Sequence, residues 1–180
     1  MVVLSGPSGV GKGTIVKELL KKENFALSVS CTTRERRDDE ADGVSYFFIE
    51  REEFEKTIKE GGFLEYSEHF GNLYGTPKSF VEDTLKERNV LLEIEVDGAL
   101  NVKKTHPEAV LIMVLPPDIN ALRARLIGRG TESAEKIEER LKRFEYELSK
   151  KDEYDYTVIN DVLGECVEEI ENIIEKESRK

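Results

Sequence analysis

Val2-Val3-Leu4-Ser5-Gly6-Pro7-Ser8-Gly9-Val10-Gly11-Lys12-Gly13-Thr14 opens the chain with an apolar run, a glycine-rich turn and a lysine. Ile15, Val16, Leu19 and Leu20 then recur at helical spacing. Strand, glycine loop and helix in that order form the context of a phosphate-binding loop. Glycines let consecutive backbone N–H groups turn toward one anion. The helix that follows aims its positive end at the same point, and Lys12 adds a charge that can reach outer phosphates. Gly13 stands where Ser or Thr usually follows the lysine, and Thr14 carries the hydroxyl one residue later. Mg²⁺ is therefore expected to be held mainly by phosphates and water, with Thr14 the protein hydroxyl at hand. The alternative is a glycine turn that only closes a strand–helix unit.

Working outward, residues 2–5, 26–30, 90–96, 109–115 and 156–159 read as strands. Residues 12–22, 98–104, 118–126, 134–150 and 164–176 read as helices. Alternating strands and helices predict a parallel sheet covered on both faces, with ligand outside the carboxyl ends of the strands. Residues 31–76 differ. Strands at 46–49 and 63–69 flank a helix at 51–60, Gly71-Asn72 signals a hairpin, and Pro77 suits the first turn of a helix over 77–88. The fold class expected is α/β: a three-layer parallel-sheet core of residues 1–30 and 77–180, with a small mixed or antiparallel insertion at 31–76. A short lid is expected at about 126–140.

Composition narrows the partners. The 180 residues carry 27 Lys and Arg against 38 Asp and Glu, a net charge of −11. Such a chain is unsuited to sequence-independent binding of nucleic acid or an anionic membrane, so a phosphate ligand requires local clusters of arginine. Cys31 and Cys166 are far apart, His69 and His106 are isolated, and no zinc spacing appears. The chain enters its first apolar run with no charged leader, and no apolar run nears the ~18 residues of a membrane span. A cytoplasmic protein with two reduced thiols is expected.

Four clusters carry chemistry. Ser30-Cys31-Thr32-Thr33-Arg34-Glu35-Arg36-Arg37 offers forked donors for a second phosphate. Glu65, Tyr74 and Thr76, with Tyr46 in the same segment, could dock a phosphate or a base edge. Glu93 and Glu95, read as alternate residues on one strand, share a face. They could accept from a base, orient arginines or hold waters around Mg²⁺. Arg125, Arg129 and Arg140 are the arginines expected over a phosphate chain, with Arg123 and Arg143 on the solvent side. Two anion sites with a bridge between them suit phosphoryl transfer, which needs in-line placement and charge neutralisation more than covalent help.

These residues resemble the guanylate kinases, over nearly the whole chain. The similarity rests on Ser-Gly-Pro-Ser-Gly-Val-Gly-Lys at 5–12, Ser-x-x-Thr-Thr-Arg at 30–34 with Arg37, and Asp-Gly-x-x-Tyr-Phe-Phe at 42–48. It continues through Glu65, Gly-Asn-x-Tyr-Gly-Thr at 71–76, Leu-Glu-Ile-Glu-Val-Asp-Gly at 92–98, Gly-Arg-Gly-Thr-Glu at 128–132 and Val-Ile-Asn-Asp at 158–161. The resemblance implies transfer of the γ-phosphoryl group of ATP, with Mg²⁺, to GMP and dGMP. It implies that Gly6, Pro7, Ser8, Gly9, Val10, Gly11, Lys12, Gly13 and Thr14 hold the ATP phosphates, with Asn160 near the adenine. It implies that Arg34, Arg37, Tyr46 and Tyr74 hold the GMP phosphate. Ser30, Glu65, Thr76 and Glu95 would read guanine, with Glu93 beside them. Lys12, Arg34, Arg37, Arg125, Arg129 and Arg140 would serve the transfer itself.

The chain departs from the family pattern at Arg36, where Pro is frequent, and at Asp39, where Gly is frequent. Glu95 replaces the commoner Asp. Gly-Lys-Gly-Thr is also similar to adenylate kinases, so the choice of base rests on Ser30, Glu65, Thr76 and Glu95. A peptide-binding scaffold with a decayed nucleotide site is disfavoured, because Lys12, the loop glycines and the arginines are all present. A switch GTPase lacks its Asn-Lys-x-Asp base reader here. The sequence sets no oligomeric state.

Overall fold

A computed structural model describes residues 1–21, 25–38, 40–128, 130 and 133–179 of the chain. In chain order the elements are β1 (Val2–Ser5), α1 (Lys12–Leu19), β2 (Phe25–Ser28), β3 (Cys31–Thr32), β4 (Phe47–Phe48) and α2 (Arg51–Lys59). They continue with β5 (Phe63–His69), β6 (Asn72–Pro77), α3 (Lys78–Thr84), β7 (Asn89–Glu93), α4 (Val96–Thr105) and β8 (Val110–Leu115). The last are α5 (Ile119–Gly128), α6 (Ala134–Ser149), β9 (Tyr156–Ile159) and α7 (Leu163–Ser178).

The main sheet runs β2-β7-β1-β8-β9, and every pairing in it is parallel. Alternation along its strands divides the core. Val2, Leu4, Leu91, Ile112 and Val114 face α1 and α7, where Ile15, Val16, Leu19, Ile170 and Ile173 cover them. Val3, Leu92 and Leu111 face the other way, onto Val81 of α3 and Ala99 and Val102 of α4. Leu122, Leu126, Ile137, Leu141 and Phe144 of α5 and α6 close a third cluster over Val96, Met113 and Leu115. Helices on both faces of the parallel sheet, α1 and α7 on one and α3 to α6 on the other, make the three layers expected.

A second sheet, β4-β3-β6-β5, is mixed. β3 lies parallel to β4 and antiparallel to β6, and β5 and β6 form a hairpin. The hairpin pairs His69 with Asn72, so its turn is Phe70-Gly71, one residue earlier than the sequence signal. Both turn residues have positive φ, 50° and 75°.

Other boundaries moved for local reasons. Pro77 ends β6 and stands at the cap of α3, one residue before the first helical turn. α3 stops at Thr84 because Lys86, Glu87 and Arg88 have no apolar face to bury and lie exposed. α1 stops at Leu19, and Lys22 is outside the described residues. Glu95 departs furthest from the expected strand. β7 ends at Glu93, and Glu95 is the cap of α4. Its carboxylate accepts from the backbone N–H of Gly98 at 3.0 Å and Asp97 at 3.4 Å, which starts the helix earlier than expected. Glu93 and Glu95 therefore do not share one strand, and they meet different neighbours.

Candidate active site

The glycine-rich loop joins β1 to α1. At Gly6, φ is 138°, and a Cβ would sit 2.1 Å from the Val114 carbonyl oxygen. At Gly11, φ is 105°, and a Cβ would sit 2.7 Å from Asn160 Nδ2. Only glycine meets both demands at once. Among the described residues no side chain caps α1 at Gly11, so the positive end of the helix opens into the loop. Lys12 folds back over it, its Nζ donating to the Gly6 carbonyl at 2.6 Å and the Pro7 carbonyl at 3.2 Å.

Three expected residues brace this loop. Buried Asn160, just past β9, donates from Nδ2 to the Val10 carbonyl at 2.8 Å. Arg125 on α5 donates to the same carbonyl at 3.1 Å and to the Asn160 carbonyl at 2.7 Å. Arg140 on α6 donates to Ser8 Oγ. Arg129, Thr131 and Glu132 of the expected lid lie outside the described residues, as does Asp39.

The residues expected to read the base meet where the second sheet approaches α4. Register places Glu65 opposite Thr76, and Thr76 Oγ1 donates to Glu65 Oε1 at 2.6 Å. Both are buried, with Ser30. A Cβ on Gly98 would lie 2.6 Å from Glu65 Oε2, so the bare glycine makes room for this carboxylate. Burial pushes the Glu65 carboxyl up to about 7, against the Thr76 hydrogen bond and with help from the Glu95 charge. Burial also raises Glu95, opposed by the Ser67 hydroxyl that donates to it. His69 stands 3.9 Å from Glu95. Its imidazole is pushed down to about 4 by burial and then by the charges of Arg143, Lys12 and Arg140, so it is neutral at physiological pH.

Arg34 and Arg37 follow β3 of the same sheet. Arg34 grips Glu40 with two hydrogen bonds of 2.7 and 2.9 Å and lies over the rings of Tyr46 at 5.6 Å and Phe48 at 5.8 Å. Arg37 is 3.7 Å from Glu40, and its backbone N–H donates to the same carboxylate. Burial alone would raise Glu40, but the Arg34 hydrogen bond, the Arg37 amide and both charges hold it below the usual carboxylate range. The Tyr46 and Tyr74 rings stand edge to face, 6.0 Å apart. Tyr46, Ser30 and Glu93 line a small cavity with Ser28. Glu93 also approaches the phosphate loop: its oxygens lie 3.6 and 3.7 Å from where a Gly13 Cβ would be. Glu93 thus touches both halves of the site.

Arg143 and Glu147 take places that the sequence does not assign to them. Arg143 is only partly exposed rather than on the solvent side: it pairs with Asp97 and stands 3.9 Å from Glu95. The Tyr146 hydroxyl donates to the same Asp97 at 2.6 Å. Glu147 is 2% exposed, and burial pushes it up to about 7 against Lys12 and Arg143. Ile137, Leu141 and Phe144 mark the apolar stripe of α6, and 147 falls on its continuation; that spacing was the available signal.

The guanylate kinase family model matches residues 1–177. The chain belongs to the guanylate kinase family. Relatives named guanylate kinase include one from Streptococcus thermophilus, 51% identical over 180 residues, covering 98% of this chain and 86% of that relative. Another from Oceanobacillus iheyensis is 48% identical over 182 residues, covering 100% of this chain and 88% of that one. The crystal structure of guanylate kinase from Anaplasma phagocytophilum superposes with a TM-score of 0.85 at 36% identity, covering 100% of this chain and 86% of that one. Among the described residues no helix is long and apolar enough to cross a membrane.

Proposed function

We propose that this guanylate kinase family member transfers the γ-phosphoryl group of ATP to GMP and dGMP, giving the nucleoside diphosphate and ADP. The observation that carries the choice of acceptor is Glu65, a buried carboxylate bonded to Thr76 and housed by Gly98. Guanine presents two donors on one edge, N1–H and the exocyclic NH₂, and a carboxylate answers both. Adenine would turn its N1 acceptor toward the same oxygens and leave buried groups unpaired. Sites built this way reject the wrong base by about 10⁴-fold. Ser30, Glu95 and Thr76 complete the reader.

The acceptor phosphate would lie on Arg34 and Arg37 beside Tyr46 and Tyr74, with Glu40 holding both guanidinium groups ready. Loop amides and Lys12 would hold the ATP phosphates, braced by Arg125 and Asn160. Arg140, with Arg129, would neutralise charge on the group in flight. The oxygen donors at hand, the Glu93 carboxylate beside Gly13 and the Thr14 hydroxyl, suit a largely hydrated Mg²⁺ carried by phosphate. When bound, that ion would offset the charge of the outer phosphates. Residues 31–76 would act as the acceptor-binding unit on a core of 1–30 and 77–180, closing with a lid at about 126–140. Two free cysteines and the absence of a membrane-spanning helix among the described residues support a cytoplasmic setting.

A coupled assay of ADP release with GMP, AMP, UMP and dTMP tests this reading. GMP should exceed the others by orders of magnitude in kcat/KM. Preference for AMP would overturn the assignment of Glu65.

A further inference from the structure

The β5–β6 hairpin turns on Phe70 and Gly71, both in the left-handed region with φ of 50° and 75°. A two-residue turn of this hand favours Asn, Asp or Gly at its first place, and a bulky side chain there is strained. Burial does not compensate, because Phe70 is 40% exposed. Neither turn chemistry nor the core accounts for a phenylalanine at this point.

Its neighbours do. The Arg140 guanidinium carbon lies 5.1 Å from the Phe70 ring centroid, within cation–π range. The same Arg140 donates to Ser8 Oγ in the phosphate loop. His69 stands against the same Phe70 ring at 4.2 Å, edge to face, and its neutral imidazole adds no rival cation there. Phe70 turns the hairpin that carries Glu65 and Thr76, whereas Arg140 belongs to α6. The contact therefore joins the acceptor-side hairpin to an arginine of the donor side.

We propose that Phe70 is a positioning residue for phosphoryl transfer: its ring seats the Arg140 guanidinium over the phosphate loop. The acceptor-binding sheet thus helps aim an arginine at the group being transferred. This inference rests on the role given to Arg140 under the proposed function.

Phe70→Asn tests it, since Asn suits the turn better but has no ring; Phe70→Trp keeps an aromatic face. Steady-state kinetics with ATP and GMP and thermal melting are measured for both variants, for Arg140→Ala, and for Phe70→Asn combined with Arg140→Ala. Phe70→Asn should melt at or above the parent temperature, lose about three- to fivefold in kcat and keep KM for GMP within about twofold. Phe70→Trp should restore kcat, and Phe70→Asn should cost nothing further once Arg140 is Ala. An unchanged kcat in Phe70→Asn, while Arg140→Ala is crippled, overturns the role of Phe70 alone. So does an equal loss with and without Arg140, or a loss that follows a lowered melting temperature. Parent-level kcat in Arg140→Ala overturns the reading of Arg140 itself.

Discussion

Replacing Glu65 with Gln should stabilise the nucleotide-free protein at alkaline pH while weakening acceptor binding. Glu65 is 7% exposed, and its carboxyl rises from 4.5 to about 7, chiefly through burial. Between those pH values the folded protein binds a proton that the unfolded chain has released. Stability therefore falls as pH rises through that window, and the loss is complete above it. The span corresponds to about 3 kcal/mol as a ceiling. Gln has no such titration and keeps an oxygen for the Thr76 hydroxyl, which donates at 2.6 Å. The stability difference, variant minus parent, should thus be near zero at pH 4.5 and grow to about 1–3 kcal/mol by pH 8. Glu147 titrates in the same direction in both proteins and cancels in the difference. Urea unfolding at a series of pH values measures it. On the ligand side, loss of a charge-assisted hydrogen bond, about 1.5–3 kcal/mol, corresponds to about 10- to 100-fold in GMP affinity. KM for ATP should stay within about twofold. A pH-independent loss of stability, or equal weakening of ATP and GMP, would refute the assignment of a buried, base-reading carboxylate.

Lys12→Ala should lower kcat by about 10²-fold or more, because the amine that lies across the Gly6 and Pro7 carbonyls is the loop's own cation; near-parent turnover would remove the phosphate-loop reading. Gly98→Ala puts a methyl 2.6 Å from Glu65 Oε2, so KM for GMP should rise about tenfold with KM for ATP unchanged. Unaltered GMP kinetics would mean that Glu65 can move aside at no cost to recognition.

The core was legible because its signals are local. β8 is an unbroken apolar run and β1 is apolar from Val2 to Leu4, and the glycines of the loop sit between a strand and an amphipathic helix. Sequence could also nominate Arg34, Glu65, Thr76 and Arg140, whose residue types suit phosphate and base. It could not show that Arg125 and Asn160 meet on one carbonyl 115 and 150 residues away along the chain. The same holds for Arg143, set on the solvent side by composition but held by Asp97 from a helix 46 residues earlier. Glu95 reads as strand from its place after an apolar run, and its backbone is still extended. Its capping role depends on the Gly98 and Asp97 amides, which only the turn of α4 brings to its carboxylate. Nothing local marks Phe70, because Gly71-Asn72 is itself a turn pair, and the pairing of His69 with Asn72 overrides that local preference.

A crystal structure of the protein with GMP tests the central claim most directly. The guanine edge should lie within hydrogen-bond distance of Glu65, with Ser30 and Thr76 around it and the phosphate on Arg34 and Arg37. A guanine ring bound away from Glu65, or a phosphate remote from both arginines, would contradict the account.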